Sequence, residues 1–281
     1  LLERGLDLYP DRVVANTYNL ALMRVSLGEA ERAVAALDEG HRRGVFYGKW
    51  DFEGEPWAPL RGAAGFAAFA TRNAALIDEA SRKAVMKLEV RTPEGYDPSR
   101  TWPLFIALHG GGETVADFIP NWSSPRLRRE FLVAYVQSTQ VASMRGFHWQ
   151  DDDIARRDLA EAYRRVLAEY PVDTANVVIG GFSSGGYGSL VAAFEGRLPI
   201  RGFVALCPEP PKSLSDDAIA AARERGLRGT LLTTELDRRI DQQRALAERW
   251  KAAGLEHEFD ATPDIGHWYP ADFADRLDAA L

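Results

Sequence analysis

One stretch of the sequence, residues 176–188, decides the fold; it reads NVVIGGFSSGGYG. It opens with a short apolar run typical of a buried strand, and the residues from 184 onward have the spacing of a helix. The turn between them, residues 181–185 (GFSSG), fits the pattern G-x-S-x-G and is centred on Ser183. A serine at this place lies on a sharp, strained turn, so its neighbours must be small. A plain Gly/Ser-rich turn is the alternative, but a strand before and a helix after favour the first interpretation.

Short apolar runs recur along the chain from residue 84 onward. The predicted strands are 84–91, 103–108, 131–136, 176–180, 202–207, 230–234 and 255–259. The predicted helices are 152–169, 184–194, 215–225, 239–253 and 271–281. Apolar strands that alternate with helices predict an α/β fold with a mostly parallel sheet covered on both sides. In such a sheet, reactive groups gather at the carboxyl ends of the strands.

The first 83 residues follow a different pattern. Apolar residues recur at helical spacing over 11–43 and are interrupted at Gly28, which predicts two successive helices. A connector rich in glycine, alanine and aromatic residues follows over 44–83. We therefore predict a small α-helical segment at 1–83 and an α/β domain at 84–281. The small residues and leucines of the helix pair resemble a single tetratricopeptide-type hairpin; they are Leu20, Ala21, Gly28, Ala33 and Leu37.

A second glycine-rich segment, His109-Gly110-Gly111-Gly112, directly follows the predicted strand 103–108. Backbone amides that hold a developing oxyanion favour glycines, because the chain must come close without side chains. We predict Gly111, Gly112 and Ser184 as the amide donors, the last because it follows the serine of the turn. His109 is predicted to orient the glycine loop.

The general base that activates such a serine should be a histidine on a late loop. The chain has five histidines. His267 follows the last predicted strand and precedes the last predicted helix, so we predict it as the base. His41 lies in the helix pair and His257 inside a predicted strand, which places both elsewhere.

The acid that orients this histidine should follow the strand 230–234. Asp237 lies three positions beyond that strand, where the loop can turn toward the histidine. We predict Asp237 as the acid, with Glu235 and Asp264 as open alternatives. Ser183, Asp237 and His267 then occur in the chain order typical of one fold and different from the other common triad orders.

From residue 84 to the end, the chain resembles an α/β-hydrolase of the esterase and polyhydroxyalkanoate-depolymerase-like kind. The segments that carry the resemblance are 91–96, 109–112, 181–186, 235–237 and 266–270. The resemblance implies hydrolysis of small-molecule carboxylic esters through an acyl-enzyme, without a cofactor. The N-terminal helices depart from the hydrolase core and are candidates for contact with a protein partner.

Three aromatic residues near the predicted site, Trp149, Trp268 and Tyr269, have two open interpretations. They line an aromatic acyl or alcohol pocket, or they pack in the core. The function also has alternatives. A serine peptidase on the same fold would use an identical triad, and a non-catalytic scaffold would carry a hydrolase-like domain without activity.

Composition and charge argue against several other classes of function. The net charge is -7, which disfavours nucleic acid as a partner, and no run is apolar and long enough for a membrane span. The single cysteine, Cys207, lies in an apolar run and is predicted as a core thiol. Residues 151–153 are all aspartate and precede a helix, so we interpret them as helix caps and predict no metal site. A reduced cysteine without a signal peptide favours the cytoplasm.

Overall fold

The computed structural model describes residues 6–9, 12–48 and 50–281. The chain folds as two compact units. One extends to Ala84 and includes Val141–Gly146, and the other comprises Val85–Gln140 and Phe147–Leu281. None of the described helices is apolar and long enough to cross a membrane.

The first unit is helical. Its helices are α1 (Val13–Ser26), α2 (Ala30–Arg42), a 3₁₀ turn (Glu55–Trp57), α3 (Ala58–Arg61) and α4 (Phe66–Lys83). The turn between α1 and α2 has Gly28 at a φ of 75°, a left-handed conformation that glycine adopts without strain. The His41 ring stacks on that of Phe69, and its Nε2 is hydrogen-bonded to Asn73 Oδ1 at 3.1 Å. This histidine therefore belongs to the packing of the helices. The helix pair is present, and its likeness to a tetratricopeptide hairpin stays a prediction.

The second unit is built on a seven-stranded sheet. Its strands are β1 (Lys87–Arg91), β2 (Trp102–Leu108), β3 (Leu132–Gln137), β6 (Val172–Phe182), β7 (Ile200–Leu206), β8 (Arg228–Thr234) and β9 (His257–Thr262). The spatial order is β1-β3-β2-β6-β7-β8-β9. Only β1, at one edge, runs antiparallel to its neighbour, and every other pair in this sheet is parallel. The predicted mostly parallel sheet is confirmed.

Helices cover both faces of this sheet. They are α5 (Val115–Phe118), α6 (Pro125–Glu130), α7 (Asp152–Glu169), α8 (Ser184–Glu195), α9 (Asp216–Glu224), α10 (Ile240–Ala252) and α11 (Phe273–Ala280). Successive side chains of a strand point to opposite faces. In β2, Leu104, Ile106 and Leu108 therefore enter one core, with residues of α7 to α10. Phe105 and Ala107 enter the other, with residues of α5, α6 and α11.

Several elements differ from the predicted ones. The last strand begins at His257 rather than at 255. β6 is longer than predicted at both ends, because it begins at Val172 and continues to Phe182, directly before Ser183. A further two-stranded sheet, β4 (Gln140–Ser143) with β5 (Gly146–His148), was not predicted. Strands of three and four residues are too short to show a period of two in the sequence.

Candidate active site

Ser183 lies on a strained turn between β6 and α8. Its backbone has φ 53° and ψ -110°, a conformation that non-glycine residues adopt at a cost. The space around it requires glycine on both sides. A Cβ atom on Gly181 would come within 2.5 Å of Gly185, and one on Gly185 within 2.1 Å of the Leu108 carbonyl oxygen. The Ser183 amide donates to the Leu206 carbonyl at 2.8 Å, which ties the turn to β7.

His267 joins Ser183 to Asp237 by hydrogen bonds. Its Nε2 lies 2.8 Å from Ser183 Oγ, and its Nδ1 lies 2.7 Å from Asp237 Oδ2. The side chain of Asp237 is 0% exposed, whereas that of His267 is 28% exposed. The structure thus brings together three predicted residues that lie beyond the carboxyl ends of β6, β8 and β9.

Both carboxylate oxygens of Asp237 are hydrogen-bonded. Oδ1 accepts the Arg239 amide at 2.7 Å, while Oδ2 faces His267. Burial raises the pKa of Asp237, but the hydrogen bonds from His267 and from Arg239 outweigh it and keep this pKa below its ordinary value. The carboxylate is therefore charged at neutral pH. The alternative acids, Glu235 and Asp264, are both exposed, and neither bonds His267.

The glycine loop after β2 offers fewer free amides than predicted. The Gly110 amide donates to Glu113 Oε2 at 2.7 Å, and the Gly112 amide donates to the Phe147 carbonyl at 2.9 Å. The amide of Gly112, which was predicted as an oxyanion donor, is therefore already hydrogen-bonded in this structure. Among the described residues, the Gly111 amide has no acceptor, and a Cβ on Gly111 would lie 3.4 Å from that of Ser184. Ser184 is the first residue of α8, so its amide has no partner within the helix.

His109 is buried and anchors the start of the same loop. Its Nδ1 lies 2.7 Å from the Gly110 carbonyl oxygen, and its Nε2 lies 3.3 Å from the Ser138 amide. The carbonyl can only accept and the amide can only donate, so the ring carries its proton on Nδ1. Burial lowers the pKa of His109 to about 4, which keeps the imidazole neutral.

We expect His109 to weaken the folded state in acid. Burial lowers its folded-state pKa to about 4, whereas an imidazole in the unfolded chain titrates near 6.5. Between these values the unfolded chain binds more protons, so the free energy of unfolding falls as the pH falls. From pH 7 to pH 5 this group should remove about 2 kcal/mol. Denaturant unfolding of native protein and of His109→Gln at both pH values checks this, and equal pH dependence in the two proteins would contradict it.

The aromatic candidates fall into two groups. Trp149 is 0% exposed within the core, and its amide donates to Ser184 Oγ at 2.8 Å, which favours core packing over a pocket. Trp268 is 57% exposed, with its ring centroid 6.0 Å from that of Phe182. Tyr269 lies 4.5 Å from the same ring. Burial raises the pKa of Tyr269, and its buried hydroxyl has no hydrogen-bond partner in the described part of the chain.

Cys207 lies beside Asp237 and His267, although the sequence predicted it only as a core thiol. Its side chain is buried, its φ is 46°, and burial raises the pKa of its thiol to about 12. One ligand atom each of Cys207, Asp237 and His267 lies within 4.8 Å of the others. These residues fit a metal ion poorly. The Asp237 and His267 atoms are 2.7 Å apart, whereas two ligands of one tetrahedral zinc ion lie about 3.4 Å apart.

The acidic run 151–153 lies at the N-terminus of α7. Asp151 Oδ1 accepts the Ile154 amide at 3.0 Å, and Asp152 and Asp153 lie in the first turn. Asp151 is therefore the predicted helix cap, whereas Asp152 and Asp153 belong to the helix itself. Negative charges at this end interact favourably with the helix dipole.

Comparison with known proteins gives the fold. No family model matches the chain, and no curated protein matches it. Solved structures do. An uncharacterized protein from Bacillus cereus ATCC 10987 is 24% identical with a TM-score of 0.60, and the match covers 93% of this chain and 84% of that one. Esterase PE8 is 15% identical with a TM-score of 0.56, over 69% of this chain and 96% of that one. The chain has the α/β-hydrolase fold.

A third similar structure is that of a peptidase. Dipeptidyl peptidase 4 from Porphyromonas gingivalis is 18% identical with a TM-score of 0.53, and the match covers 69% of this chain but 32% of that one. At identities this low, the likeness concerns the fold alone. Several other similar structures are those of esterases.

Proposed function

We propose that this protein is a serine hydrolase that cleaves carboxylic esters of small molecules through an acyl-enzyme on Ser183. The observation that supports this most strongly is the hydrogen-bonded line from Ser183 Oγ through His267 to Asp237. A strained turn that places the half-buried serine at the N-cap of α8 adds to it. The proposed reaction needs no cofactor.

In the first half of the reaction, Ser183 Oγ attacks the ester carbonyl while His267 Nε2 takes its proton. The buried carboxylate of Asp237 stabilises the imidazolium that forms. The carbonyl oxygen becomes an oxyanion, which the amides of Gly111 and Ser184 hold. Such a donor is typically worth about 3–4 kcal/mol in the transition state.

In the second half, the imidazolium of His267 gives its proton to the leaving alcohol as the carbon–oxygen bond breaks. Water then takes the place of the alcohol. His267 takes a proton from it, the hydroxide attacks the acyl-enzyme, and Ser183 leaves with the proton that His267 returns. The products are one alcohol and one carboxylic acid, and the enzyme is restored.

We assign Trp268 and Tyr269 to the wall of the substrate site. Their rings flank that of Phe182, the residue before the nucleophile, and Trp268 keeps an exposed face. Exposed aromatic surface beside a catalytic group is suited to bind the apolar part of a substrate.

Trp268→Ala should therefore raise KM for p-nitrophenyl hexanoate and benzoate about five- to tenfold, with kcat little changed. The lost contact stabilises bound ester and transition state alike. The acetate ester has a shorter acyl group that contacts less of this wall, so it serves as the matched substrate control. Equal KM values for native protein and variant on all three esters would exclude Trp268 from the site.

A direct comparison of substrates tests the proposed function. We expect native protein to hydrolyse p-nitrophenyl esters with a kcat/KM at least about a hundredfold above that for dipeptide p-nitroanilides. The reverse order would favour the serine peptidase. A protein partner for the helical unit stays a prediction from the sequence.

A further inference from the structure

Glu113 lies at the end of the glycine loop, and no step of the proposed reaction uses it. Its carboxylate Oε2 accepts the Gly110 amide at 2.7 Å, and its backbone forms an antiparallel bridge with Phe147. Gly110 is buried and Glu113 is half-buried. Burial raises the pKa of this carboxyl group. This carboxylate is thus bound to the loop that is proposed to hold the oxyanion.

We infer that Glu113 is a positioning residue that orients the Gly111 amide toward the oxyanion; this inference rests on the proposed function. A peptide unit is planar and trans, so its N–H points opposite to its C=O. His109 Nδ1 at 2.7 Å and the Glu113 amide at 3.4 Å both hold the Gly110 carbonyl. The Gly111 N–H belongs to the same peptide plane and therefore points the other way.

The preceding peptide plane carries the Gly110 N–H, and the Glu113 carboxylate holds it. Both planes that meet at Gly110 are thus fixed by hydrogen bonds, although glycine itself permits many backbone angles. Without the Glu113 side chain, the buried Gly110 amide loses the acceptor that the structure gives it. An unsatisfied buried amide is costly, so the peptide would rotate and carry Gly111 with it.

Turnover of p-nitrophenyl acetate by Glu113→Ala and Glu113→Gln tests this. The alanine variant should lose about 10- to 100-fold in kcat, with KM within about twofold of native, because an oxyanion donor acts in the transition state. Glutamine keeps an acceptor oxygen at the same place and should restore kcat to within about threefold. The matched control is Glu248→Ala, an exposed glutamate on α10, which should behave as native.

A second readout does not depend on activity. Amide exchange of Gly110, followed by NMR in ¹⁵N-labelled protein, should become faster in Glu113→Ala and stay slow in Glu113→Gln. Native kcat in the alanine variant, or equal losses in both variants, would overturn the inference. If native protein fails to hydrolyse the ester, the proposed function fails, and unchanged Gly110 exchange in Glu113→Ala would then overturn the loop assignment by itself.

Discussion

Replacing Ser183 with alanine should lower kcat for p-nitrophenyl esters by at least about 10⁴-fold. Alanine has no hydroxyl to attack the carbonyl, so the acyl-enzyme cannot form. The variant keeps the rest of the site: the glycines of the turn, the amides of Gly111 and Ser184, and the His267–Asp237 pair. The residual rate would come from those amides and from substrate binding. Steady-state hydrolysis at saturating ester measures the loss.

Ser189→Ala is the matched control for this variant. Ser189 lies on the same helix, α8, and its buried hydroxyl donates to the Gly186 carbonyl at 2.8 Å. Its removal should leave kcat near the native value. A Ser183→Ala protein that is folded and keeps more than about a tenth of native kcat would show that another group is the nucleophile.

Asp237→Asn should lower kcat by about 10⁴-fold while the fold stays intact. The Arg239 amide donates to Oδ1 at 2.7 Å, so an asparagine would keep its oxygen there and turn its NH₂ group toward His267. The Nδ1 atom of His267 would then have to accept a hydrogen bond. The ring proton would move to Nε2, which faces Ser183, and the histidine would no longer act as a base.

Glu235→Gln and Asp264→Asn are the controls, because both side chains are exposed and were alternative acids in the sequence. Each should keep kcat within about threefold of native. Turnover and thermal unfolding of the three variants show which residue is the acid. An active Asp237→Asn together with an inactive Glu235→Gln or Asp264→Asn would transfer the role of the acid.

The turn at Ser183 and the position of His267 could be predicted because their requirements are local. The strained turn needs glycine at fixed spacing, and residues 181–185 show that spacing beside the serine. His267 lies in the loop between the last strand and the last helix, a place that element order alone defines. The structure adds that Ser183 and His267 meet at 2.8 Å.

Other parts of the site depend on contacts between distant segments, which one sequence does not reveal. The Gly112 amide looked free because its acceptor, the Phe147 carbonyl, lies in β5, a strand of the unpredicted pair β4 and β5. Gly110 and Glu113 are close in sequence. A single glutamate after three glycines does not, however, indicate that its carboxylate accepts the Gly110 amide. Trp149 had two interpretations because its burial is decided by packing and not by its neighbours along the chain.

Labelling with a fluorophosphonate probe shows whether Ser183 is an activated nucleophile, because the probe bonds only to an activated serine. Native protein should label rapidly, Ser183→Ala should not label, and Asp237→Asn should label far more slowly than native. Well-folded native protein that does not label, or a Ser183→Ala protein that labels as native does, would contradict the claim that Ser183 is the activated nucleophile. The first of these results would favour a non-catalytic scaffold.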